Sequence, residues 1–375
     1  MKILIVNRND ADSRPGGDSV QITQTSQHLE ELGVQVDIVK GDLLPETGEF
    51  DLVHLFNLQT PIETWKAFLW ARERCMPVVL SPIFWDMTDF WCDMAVKSTR
   101  RWRAARLLLG VGATPWLYHV WQKVKLPFRT QWHIQRRLLI EVAHILPNAH
   151  AEAVHLADFF YLPSGFMKQC TVVPNAVNVD LFMDIPSPVQ QLYERYGLRG
   201  GYVLQVGAIG EVKNQLRVIQ ALYDVPVLLV FVGRKSSYDP AYIHHCHELA
   251  KKRGNVIFID HLPHEQLPVI YAGAAVHVLP SWRETPGLAS LEAAAAGCRV
   301  VSTCIGSARE YFGSQAWYCH PGSVSSIRRA VLEALNSPPT DALRWRVLNE
   351  FTWQRAARAT LDAYHIAMRR PNLLG

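Results

Sequence analysis

The chain has 375 residues, too many for one hydrophobic core and suited to two domains of ordinary size. Hydrophobic residues make up 49% and charged residues 19%, which excludes a disordered chain and describes a folded protein with a rather apolar surface. The net charge is only +4, and the seven cysteines form no Cys-x-x-Cys pair, which argues against a zinc cluster or disulfide framework and for a reducing compartment.

Residues 1–6 are apolar but give way to Asn7-Arg8-Asn9-Asp10, so they read as a first strand and not as a signal peptide. No apolar run reaches the roughly 20 residues that span a bilayer, so the chain is expected to be soluble or to lie on a membrane surface. Short runs rich in Val, Ile and Leu alternate with helical patterns, which predicts parallel βαβ units. Strands are expected at 2–6, 35–39, 52–56, 78–80, 144–147 and 170–173, then at 202–206, 227–232, 256–259, 276–279, 300–302 and 317–319. The fold class is therefore α/β with two doubly wound, Rossmann-like sheets, and ligands in such sheets bind at the carboxyl ends of the strands. The Pro-bearing stretch Asp184-Ile185-Pro186-Ser187-Pro188 is the expected linker between domains 1–183 and 189–351, and the cleft between them is the expected active site.

After the first strand, Gly16-Gly17 allows close backbone approach to a ligand at the next helix start. The spacing is not Gly-x-Gly-x-x-Gly, so a nicotinamide site is not expected. Asp10-Ala11-Asp12 has the form of a metal-binding Asp-x-Asp, but a polar loop is the reading preferred here, and no metal is assigned.

The segment 91–140 breaks the rhythm. It carries ten Lys or Arg against the single acid Asp93, and five of the twelve tryptophans (91, 102, 116, 121 and 132). Its net charge of about +9 leaves about −5 for the remainder of the chain. The apolar part 107–121 is interrupted by Gly110, Gly112 and Pro115. Tryptophan and basic residues around a short apolar segment suit an anionic bilayer interface. The alternative is an inserted helical pair covering the first sheet with a solvated basic face. Nucleic acid is not expected, because the aromatics sit in an apolar run and not on a strand platform.

In the second half, Val206-Gly207-Ala208-Ile209-Gly210-Glu211-Val212-Lys213-Asn214 is a glycine-bearing loop after a strand. The stretch from Pro280 to Gly297 places Glu284 and Glu292 eight positions apart, in a strand-to-helix turn and the helix that follows. The first helical amides make a seat for a diphosphate. Thr285, Gly287 and Leu288 can present amides there, whereas Pro286 has none. Glu292, further along the helix, can accept two vicinal ribose hydroxyls, and Glu284 stays at the mouth, where an attached sugar would lie. Ordinary capping of the strand-to-helix turn is the structural alternative. His244, His245 and His247 lack an i, i+4 pair and are not assigned to a metal.

These motifs resemble the Glu-x7-Glu signature and accompanying segments of the retaining glycosyltransferases of family 4. So does Val172-Val173-Pro174-Asn175-Ala176-Val177-Asn178-Val179-Asp180-Leu181-Phe182, which is similar to the family's Val-Pro-Asn-Gly-Val-Asp-x-x-x-Phe segment. The resemblance implies the GT-B fold, with two Rossmann-like domains facing across a cleft and a terminal helix, 352–375, crossing back to the first. It implies a nucleotide-sugar donor used as substrate, with no cofactor. It implies that Lys213 neutralises the diphosphate beside Gly207 and Asn214, that Gly17 approaches donor phosphate and acceptor, and that the base lies against Gly233, Arg234, His261 and Leu262. Two positions depart from the family. Ala208 stands where an arginine is usual, a loss of about 1.5–3 kcal/mol for one charge-assisted contact, with Arg283 and Arg234 as candidates to compensate. Ile83, in Ser81-Pro82-Ile83-Phe84-Trp85-Asp86, stands where a histidine is frequent. Asp86 is then either a polar partner or base for the acceptor or the cap of the next helix. The expected activity is hexose transfer to a hydroxyl of a glycan, expected to be lipid-linked, at the cytoplasmic face of a membrane. A binding-only subunit of a glycosyltransferase complex is the alternative. An epimerase sharing the architecture has no residue in its favour.

Overall fold

The computed structural model describes residues 1–369 except 14–15, 184, 186–189, 237–238 and 286. The chain forms two compact units, one of residues 1–175 with 353–375 and the other of residues 176–352.

The first unit is built on a parallel sheet of β1 (Lys2–Asn7), β2 (Gln35–Lys40), β3 (Leu52–Phe56), β4 (Val78–Ser81) and β5 (His144–Ile145), in the order β2-β1-β3-β4-β5. All five residues of β3 are buried, as a central parallel strand with both faces covered requires. The core gathers Leu4, Val53, Leu55, Phe68, Leu80, Leu139 and Ile145. The strand expected at 170–173 is reduced to a single bridge, Ile145 to Cys170, because β5 itself is only two residues long. The helix Trp353–Arg369 packs on the first helix, Gly17–Glu31. It anchors there through Tyr364, whose hydroxyl lies 2.7 Å from His54 Nδ1, while His54 Nε2 lies 2.9 Å from Ser81 Oγ.

Between β4 and β5 lies the basic segment. It forms a helix Thr88–Ser98, a long helical stretch Arg100–Lys125 broken at Gly110, and a helix Thr130–Glu141. Cys92, Trp102 and Tyr118 make a small core of their own, joined by Ala95, Val96, Ala105 and Trp121. Trp132 belongs to the main core. Several of the tryptophans read as interfacial are therefore packing residues, and the inserted-helix reading accounts for them. Trp91 and Trp116 are the exposed ones.

The second unit holds β6 (Tyr202–Val206), β7 (Leu229–Val232), β8 (Val256–Ile259), β9 (Ala274–Leu279), β10 (Arg299–Thr303) and β11 (Trp317–Cys319), all parallel, in the order β11-β10-β9-β6-β7-β8. Winding runs outward from β6 through β7 to β8, then returns to β9 on the other side of β6. The switch point thus lies between β6 and β9, where the loops at the carboxyl ends diverge and leave a crevice. The division between units falls ahead of the boundary expected at residue 183. Val177 N–H donates to Phe351 O at 3.0 Å, Phe182 is fully buried, and its carbonyl accepts from Arg344 at 2.9 Å, so this stretch is tied into the second unit. The expected linker Asp184–Pro188 lies, apart from Ile185, outside the described residues.

Candidate functional site

The two loops at the switch point are bound to each other by the backbone. After β6, Gly207 lies against Gly233 at the end of β7, so closely that a Cβ on Gly233 would sit 2.1 Å from Gly207 O. Gly233 also has φ +153°, so no other residue fits. The loop closes in a turn, with Lys213 N–H donating to Gly210 O at 3.0 Å, and ends on Asn214 in the left-handed region ahead of the helix Gln215–Ala221. Asn214 Nδ2 donates to Pro280 O at 3.1 Å and to Pro321 O at 2.8 Å, and Trp282 N–H donates to Val212 O at 2.9 Å. The Asn214 side chain thus welds the β6 loop to the β9 loop.

That weld brings Lys213 to Glu284, with Lys213 Nζ 2.5 Å from Glu284 Oε1. The carboxylate is only 6% exposed. A charge so buried needs a partner, and the lysine supplies it. Two glycines shape its seat. A Cβ on Gly287 would come 2.8 Å from Glu284 Oε2, and one on Gly306, at φ +113°, would come 2.0 Å from the Glu284 carbonyl oxygen. Ser307 N–H then donates to that same carbonyl at 3.2 Å. Gly306 was not foreseen, since it lies after β10, well away in sequence.

Gly287 leads into the helix Leu288–Ala295. On it, Glu292 is held at both oxygens, by the Tyr271 hydroxyl at 3.0 Å and by His264 Nε2 at 2.9 Å. Burial pushes the Tyr271 hydroxyl well above its ordinary pKa, so it stays a donor at neutral pH. The hydrogen bond to Glu292 raises the pKa of His264. Beneath the site, His277 of β9 is fully buried, and burial, with the Lys213 charge adding, lowers its pKa to about 3. Neither of its ring nitrogens has a hydrogen-bond partner among the described residues. His264, Tyr271 and His277 were all missed, because neither a lone histidine nor a buried helical tyrosine carries a local signature. Of the other expected residues, Leu262 is buried and His261 and Arg234 are exposed. Arg234 meets the β6 loop through its carbonyl, which accepts from Ile209 N–H at 2.9 Å. Ala208 is exposed, and Thr285 and Leu288 are half-buried.

In the first unit, Gly17 opens the first helix, and its neighbour Asp18 accepts from Arg8 Nε at 2.6 Å and from Asn57 Nδ2 at 3.3 Å. The expected polar loop is pinned by cations, Asp10 by Arg8 and Asp12 by Lys40. After β4, Ile83 holds φ +46°, a left-handed conformation that is costly for a β-branched residue. The fully buried Glu152 fixes this turn, accepting from Phe84 N–H at 2.7 Å and from Asn148 N–H at 2.6 Å. Asp86 meets the start of the next helix and a histidine. Its Oδ1 accepts from Thr88 N–H at 2.8 Å at the helix start, and its Oδ2 lies 3.2 Å from His155 Nε2. Burial alone would raise the Asp86 pKa, but hydrogen bonds from His155 and Thr88 outweigh it and hold the group below the usual carboxylate value. His155, stacked on Trp85 at 4.2 Å, was not foreseen.

Residues 198–346 match the family model described as Glycosyl transferases group 1. O-antigen chain mannosyltransferase B of Escherichia coli is 26% identical over 207 residues, which cover 51% of this chain and 53% of that protein. The chain thus spans about half the length of that curated relative. Among solved structures, sucrose-phosphate synthase from Thermosynechococcus elongatus aligns with a TM-score of 0.73 at 16% identity, covering 97% of this chain and 98% of that one. Anabaena HepE in complex with UDP and glucose aligns with a TM-score of 0.62 at 16% identity, covering 98% and 97%. The fold is that of these GT-B neighbours, two parallel-sheet, Rossmann-like α/β domains. The stretch that matches the family model lies within the second unit.

Proposed function

We propose that the protein transfers a hexose, with retention, from a nucleotide diphosphate sugar (GDP- or UDP-linked) to a hydroxyl of a lipid-linked glycan in surface polysaccharide biosynthesis, at the inner face of the cytoplasmic membrane. The observation that carries this reading is the Lys213–Glu284 pair at the carboxyl ends of β6 and β9. Lys213 neutralises the diphosphate as the bond from the sugar C1 to the phosphate oxygen breaks and the electron pair leaves with the phosphate. Glu284, released from part of that contact, orients sugar hydroxyls. Amides of Gly287 and Leu288 face the diphosphate. Glu292 takes the ribose, Gly207 borders the diphosphate beside Lys213, and Gly233, Arg234, His261 and Leu262 border the base. Asp86, kept ionised by His155, is a weak base and serves to position the acceptor hydroxyl. The acceptor oxygen bonds to C1 on the face that the diphosphate leaves, and its proton passes to the departing phosphate oxygen. No metal and no cofactor enters the scheme.

The test is a panel of UDP-, GDP- and ADP-sugars, read by thermal shift, by donor hydrolysis and by transfer to lipid extracts. At least one donor should raise the melting temperature and turn over, with product of the donor's anomeric configuration. Glu284→Gln and Lys213→Met should each lower turnover by about 10²–10³ while the protein remains folded. Binding without turnover would favour the non-catalytic subunit, the reading motivated by Ile83 and Ala208. No shift with any nucleotide sugar would defeat both.

A further inference from the structure

The basic segment ends in an apolar tip that stands exposed among the described residues. In Arg100–Lys125, Gly110 has φ +79° and ψ −177°, a conformation reserved for glycine. The helix therefore breaks there and folds back. Trp102 and Tyr118 lie 16 positions apart, about 24 Å along an unbroken helix. Their ring centroids are nevertheless 4.8 Å apart, and those of Trp102 and Trp121 are 5.7 Å apart. Two arms thus stand side by side with the turn at their far end. Thr114, fully buried, braces that turn, its hydroxyl donating to Gly110 O at 2.8 Å. Pro115 lies inside the second arm.

Exposure at the tip is the reverse of what water selects. Leu107 is 82% exposed, Leu108 84% and Leu109 50%, and Trp116 on the opposite arm is 67% exposed. From Trp116 an apolar row continues down the second arm through Val120 and Val124, at 41% and 65%. Successive leucines and a tryptophan at a loop end are an interaction surface, not a solvated one. The charges beside it select the partner. Arg106 and Arg103 stand about 6 and 10 Å before the turn at the helical rise, and Lys123 lies on the returning arm. One acid, Asp93, answers the ten cations of 91–140, and it is paired with Lys97 at 2.9 Å. No helix among the described residues is long and apolar enough to cross a membrane.

We infer that this hairpin is a membrane-docking wedge for an anionic bilayer: Leu107, Leu108 and Leu109 enter the acyl boundary, Trp116 sits at the headgroups, and Arg103 and Arg106 hold lipid phosphates. The depth matches the 5–10 Å over which interfacial apolar groups are buried. The inference deepens the reading of a lipid-linked acceptor and rests on it only for its purpose. A protein that turns over a soluble acceptor but ignores vesicles would lose the wedge and keep the reaction.

The test is flotation of the full chain with vesicles of phosphatidylglycerol and phosphatidylcholine in equal parts, against phosphatidylcholine alone, at low and high salt. The protein should float with the anionic vesicles and weaken with salt. Leu107→Ser with Leu108→Ser should cut the partition coefficient at least about tenfold. Arg103→Gln with Arg106→Gln should cut it by about fivefold per charge. All four residues are remote from the donor loops in sequence, so nucleotide-sugar binding and the far-ultraviolet spectrum should stay unchanged in both variants, which separates lost docking from lost folding. No flotation at low salt, or full flotation by the leucine variant, would overturn the wedge. So would a vesicle-free dimer that the leucine variant abolishes, since the tip would then serve a second copy of the chain.

Discussion

Glu292 has no free oxygen in this structure. Tyr271 and His264 each take one, so under the proposed reading a ribose competes with them for the remaining lone pairs, and His264, the more exposed, is the one to yield. Its folded pKa is raised, first by the hydrogen bond to Glu292, above the ordinary value of about 6.5. The ion pair's contribution is therefore fully present below about pH 6.5 and is lost as pH rises through the folded value. Donor affinity should accordingly rise several-fold between about pH 6 and pH 8, as His264 deprotonates and releases Glu292. His264→Gln should flatten that rise in calorimetric titrations. A wild-type affinity independent of pH across this window would end the idea. The same carboxylate shows where sequence reading stops: Glu292 was placed on its helix from spacing, but Tyr271 and His264 reach it from a preceding helix and loop.

Among the elements, the terminal helix Trp353–Arg369 has the clearest energetic anchor. Its amphipathic pattern lets Trp353, Ala356, Ala357, Thr360, Ala363, Tyr364 and Ala367 all be buried, a spacing that one helical face produces. Tyr364 then supplies a hydrogen-bond partner to His54 inside the first sheet. Tyr364→Phe keeps the packing but orphans His54 Nδ1, and should lower stability by about 1–3 kcal/mol in urea unfolding followed by the near-ultraviolet signal. An unchanged midpoint would mean that water or a rotated His54 satisfies the nitrogen. The helix itself was expected from the family resemblance. Its partner was not, because a buried histidine in an apolar strand gives no sign of what lies above it.

Across the whole molecule, a strand histidine in each sheet, His54 in the first unit and His277 in the second, has its pKa lowered by burial to about 3. The sign follows from the unfolded chain, whose histidines take up protons near pH 6.5. Below that pH the unfolded state binds a proton that the folded unit refuses until about pH 3, so stability falls as pH drops through this window. The slope should approach about 1.4 kcal/mol per pH unit for each unit. Scanning calorimetry from neutral pH to about pH 4 checks this, and His277→Leu should flatten the dependence of the second unit's transition alone. The same slope in both proteins would dismiss His277 as the cause.

The strands, their parallel sense and the two-sheet architecture were set by local sequence, because runs of Val, Ile and Leu separated by helical patterns have few other ways to bury themselves. So were the helix break at Gly110 and the positions of Lys213 and Glu284, which lie beside glycines at strand ends. What only the tertiary structure decided was which distant groups complete each site. Gly306 closes on Glu284, His155 holds Asp86, Glu152 locks the strained turn at Ile83, and Trp102 with Trp132 turned inward. Each of these depends on loops from different strands converging at one sheet edge, or on which face of a helix meets a neighbour. No window of sequence contains both partners, so packing alone could reveal them.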